Sequence, residues 1–178
     1  GFDVEIEEIT DDVACLGVQG PTSCSILKAM GFEGIEQLKP FDIKHYDFQG
    51  HEIMISRTGF SGDLGYEVWM VNEIALNFWD ELFEKGEIYG IKPFGLDALD
   101  LVRIEAGLLV PGEDFMVAEF AIRPGSTRSP FELGLSWLVD LSKPVFNGRQ
   151  ALLEEKERGS RHTFVKLNVS GNKPAHGA

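Results

Sequence analysis

Residues 66–71, Tyr-Glu-Val-Trp-Met-Val, constrain the fold more than any other stretch of this chain. Side chains of an extended strand alternate between faces. Tyr66, Val68 and Met70 therefore share one face, and Glu67, Trp69 and Val71 share the other. Apart from Glu67 both faces are apolar, and such a run belongs in the middle of a sheet with cover on both sides. The expected central position puts Glu67 in a buried setting. A carboxylate buried without hydrogen-bonding or charged partners costs on the order of several kcal/mol, so Glu67 must have a partner in the protein or in a ligand.

The rest of the chain supplies neighbours for this strand. Residues 13–18 read as a short buried strand, and Gly20-Pro21 opens a helix to about Met30, with proline tolerated at the first helical position. Gly31 is placed to stop it. Residues 41–48 and 51–57 are β-rich runs joined by Gln49-Gly50, a hairpin pattern. A polar, glycine-rich stretch over 58–65 leads into the central strand. Asn72 is placed to cap the next helix. Ile74, Ala75, Phe78, Trp79, Leu82 and Phe83 fall on one face of that helix, and Gly86 ends it, so Phe78 and Trp79 are expected to pack on the central strand.

A further helix spans about 96–106, residues 108–128 read as loops and short strands, and 131–141 is apolar and strand-like. Asn147-Gly148-Arg149-Gln150 has capping-box spacing, for a helix that closes at Gly159. Residues 161–170 alternate like a strand, and the tail over 171–178 has turn chemistry. Helices interspersed with strands, one hairpin among them, predict an α+β fold: a mainly antiparallel sheet flanked by helices.

The chain is long enough, at 178 residues and 43% hydrophobic, for one domain with a real core or one plus the start of another. A formal net charge of −13 repels phosphate backbones and argues against nucleic acid as a partner. No apolar run reaches the roughly 18 residues of a membrane span, so no membrane partner is expected. Gly1-Phe2-Asp3-Val4-Glu5 lacks the basic and apolar regions of a signal peptide. Cys15 and Cys24 give no disulfide framework and suggest a reducing, cytoplasmic location. His45, His51, His162 and His176 have no metal-ligand spacing with one another or with the cysteines, so no metal site is expected.

A second charge breaks the apolar pattern. On the helix over 96–106, at about 100° per residue, Arg103 falls between Leu96 and Leu99 on the stripe expected to face the core. It can pair with Asp100 three residues back, or with Glu67 across the core, or both charges can point into a pocket. A carboxylate accepts two hydrogen bonds side by side, which suits a heterocycle with an amino group beside a ring N–H, as in a pterin. An arginine presents the complementary donor fork. Pattern alone leaves these readings open.

Longer motifs carry a resemblance. Residues 56–68, Ser-Arg-Thr-Gly-Phe-Ser-Gly-Asp-Leu-Gly-Tyr-Glu-Val, resemble the R-T-G-Y-T-G-E-D-G-x-E motif of the glycine cleavage T-protein (aminomethyltransferase) family. Gly17-Val18-Gln19-Gly20-Pro21 is similar to its L-Q-G-P element, and residues 95–107 to its G-L-x-A-R-D-x-L-R-L-E-A-G helix. Residues 130–137 resemble P-x-E-A-G-L-G-W, and 146–152 resemble F-I-G-R-E-A-L. The motifs follow the family's order. Phe60 replaces the usual tyrosine and lacks its hydroxyl, and Val110-Pro111 replaces an aromatic. Gly62-Asp63-Leu64-Gly65 is closer to the folate domains of dimethylglycine and sarcosine dehydrogenases.

The resemblance implies a tetrahydrofolate site with Glu67 on the pterin, Arg103 at the folate, and Trp137 and Phe60 beside it. It implies transfer of an aminomethyl or methyl unit from a small-molecule donor to N5 of tetrahydrofolate, with a lipoyl carrier protein as a possible partner. Family members are about twice this length. The family's catalytic aspartate lies in a segment before the L-Q-G-P element that this chain does not contain, so no catalytic residue is expected here, and the isolated fragment is expected to be inactive. The implied division is a partial folate-binding domain over 1–160 and the start of a truncated C-terminal barrel over 161–178. Two alternatives stand beside a transferase: a non-catalytic folate-binding domain of a demethylating dehydrogenase, and a folate-binding accessory protein of iron–sulfur assembly. Relatives of that last kind carry K-G-C-Y-x-G-Q-E, and Val145 stands in the cysteine's place.

Overall fold

A computed structural model describes residues 3–123, 125–168, 170 and 171 of the chain. They group into two compact units, Gly1–Leu108 and Leu109–Ala178. The first holds an antiparallel sheet in the order β1-β4-β3-β2. Its strands are β1, Val13–Gln19; β2, Ile43–Phe48; β3, His51–Ser56; and β4, Gly65–Val71. β4 is central, as its two apolar faces predict: Gly17 of β1 and Ser56 of β3 flank Glu67 in register. Between β2 and β3, Gln49 and Gly50 both take positive φ, 54° and 83°. A two-residue hairpin turn with both residues in that region matches the right-handed twist of its strands.

One face of the sheet is the core. Tyr66, Val68 and Met70 of β4 are buried there with Ile53 and Ile55 of β3 and Phe48 of β2. Helices α1, Ser23–Ala29, and α2, Asn72–Gly86, bury Ile26, Leu27, Ile74, Phe78 and Leu82 in the same cluster. Phe78 stacks on Phe32 at 6.0 Å between ring centroids and meets Phe48 edge-on at 5.1 Å. Trp79 sits at the rim instead, partly exposed and tilted against Phe83.

The other face departs from expectation. Glu67 is half-buried, and Trp69 and Val71 are exposed. Cys15, opposite Trp69, is exposed, and Met54 is half-buried. Apolarity on two faces shows that a strand favours two covers, and the described residues supply one.

Local chemistry explains smaller differences. α1 starts at Ser23, and Pro21 lies in the turn before it. Asn72 is the first residue of α2 and not its cap; its side-chain N–H bonds the Asp11 carbonyl at 2.5 Å. α3, Leu96–Ala106, closes at Gly107, whose φ of 77° lets its N–H reach the carbonyls of Arg103 and Ile104. Leu96 is 82% exposed, whereas Arg103 is buried, so the guanidinium and not Leu96 faces inward.

In the second unit, residues 131–141 form turns and a single 3-10 turn over Ser136–Leu138 where a strand was expected. Leu135 N–H bonds the Pro130 carbonyl at 2.7 Å, and Gly134 has a φ of 74°, so the run closes on itself locally. Helix α4, Arg149–Arg158, is preceded by Gly148 at φ 86° with no side-chain cap. Gln150 reaches forward to Glu154 at 3.0 Å, not back as a capping box requires. The strand expected over 161–170 does not form over 161–168, where Phe164 N–H bonds the Glu132 carbonyl at 2.8 Å. Val169 and the tail over 172–178 lie outside the described residues.

Candidate functional site

Glu67 projects from the middle of the sheet on its open face. Its carboxylate makes no hydrogen bond or ion pair among the described residues. Its effect is visible on Cys15, whose thiol, partly shielded by its neighbours although the residue is exposed, is pushed up first by that shielding and then by the Glu67 charge. A half-buried carboxylate without a protein partner keeps both oxygens available to a ligand.

Arg103 has partners within its own unit. Its Nε donates to Asp100 Oδ1 at 2.7 Å, and Nη2 lies 2.6 Å from the same oxygen. Its Nη1 donates to the Leu108 carbonyl at 3.3 Å. Arg103 is 3% exposed, while the Asp100 side chain is 46% exposed. The pairing three residues back is therefore formed, and it orients the fork.

The segment over 57–64 that carries Phe60 enters by a Ser56–Thr58 hydroxyl contact of 2.6 Å and leaves through Leu64, whose carbonyl accepts from Gly20 N–H at 2.8 Å. Phe60 itself is half-buried. Gly62, at φ 77°, lies so close to α3 that an added methyl would overlap Ala106. The glycine-rich segment and the helix bearing Arg103 are thus in contact. Glu67 follows the same segment directly on β4. Trp137 belongs to the second unit, where it is 71% exposed on the 3-10 turn.

Two features were missed from sequence. Gln19 reaches into the glycine-rich segment: its amide oxygen accepts from Ser61 Oγ at 3.0 Å. The flanking glycines, Gly59 and Gly65, were the available signal, since glycines at close spacing mark a tight backbone approach. In the second unit, buried Glu155 accepts from the hydroxyls of Ser129 at 2.7 Å and Ser160 at 2.6 Å and lines a cleft of about 620 Å³. Another cleft, about 230 Å³, is walled by Trp79, Phe83, Tyr89 and Phe94 of the first unit. No cluster of His, Cys, Asp and Glu able to hold a metal occurs among the described residues. No helix among them is long and apolar enough to cross a membrane.

Known proteins resemble this chain in sequence and in fold. The family model described as the GCVT N-terminal domain matches residues 1–143. An aminomethyltransferase of Caldanaerobacter subterraneus subsp. tengcongensis is 38% identical over 99% of this chain and 45% of its own length. One from Bacillus subtilis is 35% identical over 98% of this chain and 47% of its own length. A trimethylamine-oxide aldolase of Ruegeria pomeroyi is 37% identical over 97% of this chain and 22% of its own length. The crystal structure of glycine cleavage system aminomethyltransferase T from Bartonella henselae superposes with a TM-score of 0.62 at 28% identity, over 83% of this chain and 37% of that one.

The chain belongs to the GCVT N-terminal domain family. It spans less than half the length of these curated relatives.

Proposed function

We propose that this chain forms the tetrahydrofolate grip of a one-carbon transferase that takes an aminomethyl or methyl unit from a small-molecule donor. The observation that carries this is Glu67: a half-buried carboxylate on the central strand, with no side-chain partner among the described residues. Its two oxygens fit an amino group beside a ring N–H, the edge a pterin presents. Arg103, oriented by Asp100, adds a planar donor group on the helix that touches the segment carrying Phe60. Phe60 offers an apolar surface without a hydroxyl, and Trp137 is an exposed aromatic of the second unit taken by itself.

Tetrahydrofolate, when bound, supplies N5 as the acceptor of the one-carbon unit. The residues named here hold and orient; proton transfer is assigned to none of them. Such holding contributes to rate by proximity, which requires both reactants to be fixed in place. Likeness at 37% identity to the trimethylamine-oxide aldolase, together with Gly62-Asp63-Leu64-Gly65, supports a second setting for the same grip, a folate domain within a larger demethylating enzyme. A lipoyl carrier is the partner this reading assigns to a glycine-cleavage setting. Calorimetric titration with tetrahydrofolate tests the grip: saturable binding at one site is expected, and a flat titration of the folded protein would overturn it.

A further inference from the structure

We infer that Gln19 is the positioning residue of the glycine-rich segment over 58–65, an internal clamp that fixes where the segment holds Phe60 and where it meets α3. The inference rests on the folate reading for its functional consequence, and on geometry for the clamp itself. Gln19 is the last residue of β1 and pairs with Gly65 at the start of β4. Its side chain turns back into the loop that Gly65 closes. The amide oxygen accepts from Ser61 Oγ at 3.0 Å, and the amide nitrogen donates to the Tyr66 carbonyl at 3.4 Å. The two contacts require a donor and an acceptor on one planar group, which asparagine or glutamine provides and a carboxylate does not.

The glycines show how closely the amide is held. A Cβ on Gly59 or on Gly65 would overlap atoms of the Gln19 amide, so the amide lies between the two ends of the segment. Neither glycine is required by a positive φ; space for Gln19 is what requires them. The chain beside Gln19 adds a backbone anchor, as Gly20 N–H and Ser23 Oγ both donate to the Leu64 carbonyl, at 2.8 and 3.3 Å. On its outer side the segment rests against α3 through Gly62 and Ala106. Gln19 therefore fills the inside of a loop whose outside abuts the helix bearing Arg103. Losing the amide removes the bonds that hold Ser61 and Tyr66, and the segment gains room to move, while the sheet pairing of β1 and β4 remains.

The test compares the protein with Gln19→Leu, Gln19→Glu and the pair Gly59→Ala and Gly59→Ala/Gln19→Ala. Three quantities are measured: backbone amide exchange over 59–64, the dissociation constant for 5-formyltetrahydrofolate, and the urea unfolding midpoint. Loss of both hydrogen bonds in Gln19→Leu predicts exchange faster by about tenfold, folate affinity weaker by about tenfold and a modest fall in the midpoint, whereas Gln19→Glu keeps an acceptor for Ser61, loses the donor to the Tyr66 carbonyl and should change in the same direction by less. Gly59→Ala should loosen the segment through overlap with Gln19, and shortening Gln19 to Ala in the same chain should recover part of that loss. Unchanged exchange over 59–64 in Gln19→Leu would overturn the clamp. Faster exchange with unaltered folate affinity would overturn its positioning role. If the parent protein does not bind 5-formyltetrahydrofolate at all, the folate reading and the positioning role fall together, and the exchange data alone decide the clamp.

Discussion

Arg103 and Asp100, three residues apart on α3, share one oxygen: Nε and Nη2 of the arginine converge on Asp100 Oδ1 at 2.7 and 2.6 Å. The arginine is buried and the aspartate is nearly half exposed, so the pair brings a charge inward from the rim of the unit.

Asp100→Asn should therefore destabilise the first unit although Asp100 reaches solvent. Breaking a fully buried pair costs about 3–5 kcal/mol, and solvent screening on the aspartate side reduces this to about 1–2 kcal/mol. Urea unfolding followed by circular dichroism measures it. A midpoint equal to that of the parent would mean that the remaining contacts of Arg103 satisfy the guanidinium by themselves.

Phe78 and Trp79 are adjacent aromatics on α2 with different burial, the first fully buried and the second partly exposed. Phe78→Ala should cost about 3–5 kcal/mol, because it empties the space against Phe32 and Phe48. Trp79→Ala should cost well under half of that. Equal losses in chemical denaturation would contradict the assignment of the core to one side of the sheet.

Cys15 reports the charge on Glu67. Burial and the carboxylate both favour the neutral thiol, so the folded pKa is raised above its ordinary value. Stability from this group is fully present below the unfolded thiol pKa and is lost as pH rises through the folded one. Glu67→Gln removes the charge contribution, lowers the Cys15 pKa and should speed its alkylation by iodoacetamide at pH values near the ordinary thiol pKa of about 8.5. An unchanged rate in that variant would place the Glu67 charge out of reach of Cys15, and a slower one would contradict the direction of its effect.

A carrier protein of acidic surface should dock slowly if at all on a chain of net charge −13, because like charges oppose encounter. Stopped-flow association with a lipoylated acidic carrier is expected to quicken with added salt, which screens repulsion. Fast association that slows with salt would contradict this.

The strand over 66–71 was legible because period-two apolarity on both faces has one economical solution, a central place in a sheet. The Gln49-Gly50 turn was legible for a similar reason, since few residues tolerate two successive positive φ angles. Strand expectations over 131–141 and 161–170 were less secure in physical terms. β propensity is realised only against a partner strand, and turns over 131–141 satisfied those backbone groups locally. Asn72 had the chemistry of a cap, but the Asp11 carbonyl, distant in sequence, competed for its amide. At the candidate site, Glu67 and Arg103 stood out as charges against an apolar pattern. Gln19 did not, because a glutamine at a strand end is unremarkable until the glycines it touches are brought around it.

The most direct test of the account is the tetrahydrofolate affinity of Glu67→Gln measured by calorimetry beside its thermal midpoint. An isosteric amide keeps the shape of the side chain and removes the charge that the proposed grip offers to the pterin's donors. A loss of about 1.5–3 kcal/mol for one charged hydrogen bond corresponds to a dissociation constant raised roughly 10- to 150-fold, with the midpoint unchanged or slightly higher. Tetrahydrofolate bound as tightly by Glu67→Gln as by the parent, with both proteins folded, would contradict the assignment of Glu67 to the folate grip.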